Sequence, residues 1–271
     1  MAADATLVLT GARGNLGGKL AAALSPKYAL RCLDLLGGDG CSAADLASHE
    51  DSWTRCFSGA HAVLHFAGEP QPTAPWASVH RANIVATANV LRASRMHRVQ
   101  RVIFASTNQI MAGYRFSEET VTTALPPTPL NPYAVSKLVC EEAGRAFSAE
   151  TGISFIAFRI GNIGPGENIP RPGMGIGLWG QQMWLSNRDF VDAVQAAIDV
   201  REVRFAILNL VSKNSGMRWD LTETQRVLGF VPQDGFACHA APEDVAEDNA
   251  ARRARLVPGQ WLDQRFQALR G

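Results

Sequence analysis

The stretch "ATLVLTGARGNLGGKLAAAL", residues 5–24, decides how the chain is read. "ATLVLT" is a short apolar run of the kind that forms a buried strand, and "GARGNLGGKLAAAL" follows it as a turn that becomes an amphipathic helix. Gly11, Gly14 and Gly17 stand in G-x-x-G-x-x-G spacing between the two. Glycines suit that turn because backbone must approach a pyrophosphate closely while a helix N-terminus points free amides and the positive end of its dipole at the same group. Asn15 and Leu16 lie inside this turn. A tight turn without a ligand would use the same residues, so the motif needs support from further along the chain.

That support comes from the second apolar run, "YALRCLDL" (28–35), which carries Asp34 near its end, about 20 residues after the glycines. A carboxylate there accepts hydrogen bonds from the adenosine ribose and repels a 2'-phosphate, which favours NAD over NADP; a plain strand-end cap is the competing reading. Leu35 beside it, and Asp45 and Leu46 after a short third strand, could border the adenine. Further runs at 60–68 ("AHAVLHFAG", with Phe66, Ala67 and Gly68), 98–107 and 152–162 alternate with helical patterns at 49–58, about 76–97 and 132–151. Near-continuous apolar strands alternating with helices argue for an α/β fold with a parallel, doubly wound sheet of Rossmann type. After residue 162 the alternation fades. "GPGENIPRPGMGIGLWGQQ" (164–182) holds six glycines and three prolines and reads as a functional loop, followed by a helix (about 187–200), a strand (203–211) and a helix (217–228). Residues 1–162 are thus expected to bind the nucleotide, and 163–271 to supply a substrate loop and a small C-terminal cap interleaved with the same core.

Composition narrows the partners. The 271 residues are 46% hydrophobic and 19% charged, with 26 basic against 25 acidic side chains, so no basic field suggests nucleic acid or an anionic membrane. The five cysteines are scattered and odd in number, which fits reduced cytosolic thiols better than disulfides or a metal site. No apolar run reaches the ~20 residues of a membrane span. The expectation is a cytoplasmic protein, without metal, that takes a small molecule and forms a homo-oligomer.

"NPYAVSKL" (131–138) places Tyr133 and Lys137 at i and i+4, on one face of a helix. A phenol with a pKa of about 10 is a poor base at neutral pH, and a neighbouring cation favours its phenolate. Thr107 ends a strand upstream, where ligands bind in open α/β sheets.

"TGARGNLGG", "HFAG", Asn83 in "RANIVATANV", "FASTN", "YAVSK" and "RIGNIGPG" together resemble the extended short-chain dehydrogenase/reductase superfamily over residues 5–165. "RVIFASTN", "YAVSKLVCE", "FRIGN", "WLSNRDFVDAVQAAI" and "SKNSGMRWDLTETQRVLGFVPQD" extend the resemblance to uronate dehydrogenases over nearly the whole chain. The resemblance implies oxidation of a sugar's C1 with NAD, giving a lactone. It makes Tyr133 the base, Lys137 the holder of the nicotinamide ribose, and Thr107 the donor to the reacting oxygen. Phe66, Ala67, Gly68, Asn83, Ser106 and Ile160 would border the cofactor. Asn108, Gln109, Asn162, Asn168, Arg171 and Trp261 would face the substrate, with Arg171 gripping its acidic group. Gln109, Pro70 and Asn162 depart from that family's histidine and serines, so an anionic aldose other than a plain uronate, such as sulfoquinovose, becomes a rival substrate. A sugar-nucleotide epimerase or dehydratase and a non-catalytic NAD-binding regulator are the remaining alternatives.

Overall fold

The computed structural model describes residues 5–255. Seven parallel strands form one sheet in the order β3-β2-β1-β4-β5-β6-β7. They are β1 (Thr6–Thr10), β2 (Ala29–Asp34), β3 (Cys41–Ala43), β4 (Ala62–His65), β5 (Arg101–Thr107), β6 (Ser154–Ile160) and β7 (Phe205–Leu210). The order reverses between β1 and β4, which opens a crevice at the C-terminal ends of those two strands. β7 lies beyond residue 162 yet pairs with β6, so the second half of the chain completes the sheet.

Side chains of β1 alternate between the two faces because a strand's period is two. Leu7 and Leu9 join a core with Leu20 and Leu24 of α1 (Asn15–Leu24) and with Phe190, Val194 and Ile198 of α7 (Asn187–Asp199). Val8 joins the opposite core with Trp53 of α2 (Asp51–Thr54), Val90 of α4 (Ala86–Met96), Cys140 of α5 (Pro132–Thr151) and Phe155. α5 carries both parts of a strong start signal and a matching stop. Asn131 accepts from the amide of Ala134, Pro132 follows it, and Gly152 at φ 77° ends the helix. The helix also sits unusually close to the sheet, because a Cβ at Gly144 would meet the Phe155 ring at 2.2 Å.

Four elements differ from the sequence expectation. The helix expected at 76–97 is α3 (Trp76–Val79), a π-helical turn at His80–Val85, and then α4. The loop at 164–182 contains a short helix, α6 (Gly177–Gln182). The helix expected from 217 starts only at Thr222 (α8, Thr222–Leu228), because the backbone at Trp219 bridges to Val121, with Val121 N donating to Arg218 O at 2.7 Å. α9 (Pro242–Arg255) was not expected, since it docks through carboxylates rather than an apolar stripe. The rings of Trp179 of α6 and Trp219 meet at a tilt, with centroids 4.3 Å apart, in a third apolar cluster with Ile110, Met111 and Met183. Among the described residues no helix is long and apolar enough to cross a membrane.

Candidate active site

Two adjoining cavities occupy the crevice. The larger, of about 780 Å³, is lined by Arg13, Asp34, Leu35, Leu36, Asp45, Leu46 and Ala67 among others. The second, of about 330 Å³, runs from Asn15, Leu16 and Gly17 past Ser106, Thr107, Tyr133 and Lys137 to Ile160 and Asn162. Gly11, Gly14, Phe66 and Gly68 line both, so the cavities meet at the glycine turn. Close contact explains the glycines: a Cβ at Gly11, whose φ is 71°, would meet Ala67 N at 2.6 Å, and one at Gly17 would meet Gly11 O at 2.0 Å. Gly14 caps α1 without any side chain, which leaves the first-turn amides aimed at the junction of the cavities. A long, two-lobed space with an amide cradle at its waist fits a dinucleotide. Below it, buried His65 hydrogen-bonds Thr10 at 2.8 Å and Thr87 at 3.0 Å, and burial beside Lys137 pushes its pKa down to about 3, so it acts as a neutral tie across the crevice.

Asp34 ends β2 and accepts from the amide of Arg13 at 3.0 Å. Leu35 and Leu36 are 69% and 70% exposed and offer apolar surface at the same lobe. Asp45 is paired with Arg81 at 2.5 Å. Asn83 differs from its expected place. Its amide does not line either cavity but accepts from Glu69 N at 2.8 Å and donates to Ser136 at 2.8 Å, so it ties the loop after β4 to α5 and reaches the nucleotide site only indirectly, through Gly68 and Glu69.

Thr107, Tyr133 and Lys137 converge on the smaller cavity, from the end of β5 and the first two turns of α5. The pair does not reproduce the simple picture of a cation acidifying a phenol. Burial pushes Tyr133 up to about 12, with a hydrogen bond from Thr107 acting the other way, and burial pulls Lys137 down to about 8. The reason is geometric: the Lys137 ammonium lies 6.0 Å from the centre of the Tyr133 ring and 4.8 Å from that of Phe104, so desolvation outweighs their mutual attraction. A Cβ at Gly68 would come within 3.4 Å of Lys137 Nζ, which places the amine at the cofactor loop. Thr107 also accepts from Gln109 N at 3.2 Å, which fixes its rotamer.

The sequence pattern of the NAD dependent epimerase/dehydratase family matches residues 7–194. The chain belongs to that family. It is 30% identical to an L-arabinose 1-dehydrogenase (NAD(P)(+)) of Haloferax volcanii, over 86% of this chain and 98% of that protein. It is also 30% identical to a uronate dehydrogenase of Pseudomonas syringae pv. tomato, over 90% of this chain and 89% of that one. The crystal structure of uronate dehydrogenase from Agrobacterium tumefaciens superposes with a TM-score of 0.74 at 25% identity, covering 94% of this chain and 91% of that one. This epimerase/dehydratase family member is therefore an NAD-dependent sugar dehydrogenase, an oxidoreductase acting on a sugar CH–OH group. NAD, when bound, supplies the hydride acceptor. The glycine turn, Asp34 and Lys137 are the residues that would hold it.

The substrate-side residues scatter more. Asn108 is 1% exposed, and its amide oxygen and nitrogen make no hydrogen bond among the described residues although it lines the cavity. Gln109 lines the cavity too and accepts from Asn131, the cap of α5, at 2.8 Å. Asn162 lines it through the loop after β6. Asn168 does not: its amide accepts from Gly164 N at 2.7 Å and donates to Leu185 O at 2.7 Å, so it builds the loop. Arg171 is exposed and is not among the cavity's residues. Trp261 lies outside the described residues.

Sequence reasoning missed Glu141. It lies four residues beyond Lys137, on the same face of α5, is fully buried, and accepts from Ser106 at 2.6 Å and from Arg159 at 2.8 and 3.1 Å. Ser106 is thus held by α5 as it passes the cavity. The i, i+4, i+8 series Tyr133, Lys137, Glu141 was visible and could have found it.

Cofactor choice can be measured at Asp34. Asp34→Ala should raise kcat/KM for NADP relative to NAD by on the order of tenfold, because the carboxylate's repulsion of a 2'-phosphate goes while Arg13 still faces the lobe. An unchanged NADP/NAD ratio would show that the carboxylate only caps β2.

Proposed function

We propose that the protein oxidises C1 of a free aldose to its lactone. The carrying observation is the convergence of Thr107, Tyr133 and Lys137 on one cavity that continues into the dinucleotide lobe. Thr107 and Tyr133 hold the C1 hydroxyl, Tyr133 takes its proton as the C1 hydride leaves, and Asn108, Gln109 and Asn162 meet the ring hydroxyls. The finer reading gives the sugar an anionic C6, a hexuronate or a 6-sulfo sugar such as sulfoquinovose. In its support, relatives of this chain are named for acting on uronates. A second reading, a neutral aldose, is favoured by the position of Arg171 on the surface and by the amide character of Asn108, Gln109 and Asn162. The five free thiols fit the reducing cytoplasm.

NAD reduction followed at 340 nm with free aldoses, uronates and sulfosugars tests the reaction class, and silence with all of them would remove it. Arg171 separates the two finer readings. If the sugar is anionic, Arg171→Ala should cost roughly 2–4 kcal/mol in kcat/KM for the acid and little for its C6-hydroxyl counterpart, as expected when a charge-assisted bond to a buried anion is lost. Equal small losses on both would leave Arg171 as a loop residue and favour the neutral sugar.

A further inference from the structure

Ile176 is the anomaly of the loop after β6. Its φ of 64° lies in the left-handed region, which a β-branched side chain avoids because of crowding with its own backbone. Such strain persists only where the surroundings impose it. Here α9 and Arg115 impose it. Ile176 N donates to Glu247 Oε1 at 2.7 Å, and Gly177 N donates to Glu247 Oε2 at 2.9 Å. Ile176 O accepts from Arg115 Nη2 at 2.9 Å, and that same nitrogen pairs with Asp248 at 2.7 Å. Asp244, fully buried, accepts from Gly173 N at 3.1 Å and from Gln181 Nε2 at 2.8 Å.

Three carboxylates of one helix thus strap the loop down on both sides of Ile176. With its amide and carbonyl both engaged, what Ile176 offers the cavity is hydrocarbon. It lines the same cavity as Thr107 and Tyr133 and packs with the apolar cluster that contains Met183. A pyranose fixed at C1 by Tyr133 has hydroxyls at C2 to C4 for the amides of Asn108, Gln109 and Asn162. The part that varies in bulk among aldoses is the substituent on C5. We propose that Ile176 is a specificity-determining residue, held over the sugar by the α9 strap, that selects substrates by the size of the group on C5. This rests on the C1 dehydrogenase reading and deepens it.

The test uses sugars that share a ring and differ at C5: L-arabinose, D-fucose, D-galactose and D-galacturonate, and the matching series D-xylose, 6-deoxy-D-glucose, D-glucose and D-glucuronate. Ile176→Gly removes the side chain and relieves the backbone at the cost of some packing against the Met183 cluster, so urea unfolding of the variant is measured beside its kinetics. In the series the wild type accepts, kcat/KM for the bulkier members relative to the pentose should rise at least about tenfold, mainly through KM, with NADH affinity unchanged. Glu247→Ala keeps the side chain but frees the strap, and should shift the same ratio in the same direction by less. A ratio that stays within about twofold in both variants, with NADH bound normally, overturns the proposal. Sulfoquinovose joins the second series as its bulkiest member; if the wild type reduces NAD with none of these sugars, the C1 reading falls and the proposal with it.

Discussion

Tyr133→Phe is expected to lower kcat/KM by roughly 10²–10⁴-fold, the contribution of a positioned general base, while NADH binds as tightly as before. The substitution removes one hydroxyl and its bond with Thr107 but keeps the ring beside Lys137. Tyr133 does not line the larger cavity, which Arg13, Asp34 and Leu46 do, and the glycine turn and Lys137 are left in place, so a fluorescence titration with NADH should be unmoved. Steady-state turnover on the best sugar is the companion measurement. Retention of more than about a tenth of wild-type turnover would exclude Tyr133 as the base.

Glu141→Ala is expected to destabilise the fold by about 3–5 kcal/mol, because it strands Arg159, itself only 2% exposed, without its counter-charge. The lost acceptor also releases Ser106 at the edge of the cavity. Glu141→Gln keeps an acceptor for Ser106 and should lose less. Urea unfolding of both variants decides it, and a loss under about 1 kcal/mol for the alanine would show that Arg159 finds another partner.

Much of the nucleotide half was legible because its signals are local. A strand, three spaced glycines and a helix within residues 5–24 already specify a βα unit, and Asp34 falls at the end of the next strand. Tyr133 and Lys137 were legible for the same reason, since helical spacing fixes their relation before any tertiary contact forms. Their titration was not, because desolvation depends on what covers the helix. Asn168 and Arg171 illustrate the limit more sharply. They sit three residues apart in a loop whose course is set by Asn168 binding Leu185 and by α9 binding Gly173 and Ile176, contacts between segments far apart in sequence. Nothing in the local composition could say which of the two would turn inward. α9 itself was hidden because its docking face is acidic, and periodicity of apolar residues is blind to it.

The π-helical turn at His80–Val85 sets a rule for how this sequence can drift. A π turn carries one more residue than an α turn, and that extra residue keeps Asn83 facing both Glu69 and Ser136. Deleting any single residue of the segment would restore a regular, locally more favourable helix and swing Asn83 by about 100° away from both partners. Descendants of this chain are therefore free to change the letters around Asn83 far more readily than their number, and an insertion or deletion between α3 and α4 is the change that would uncouple the loop after β4 from the helix bearing Tyr133 and Lys137.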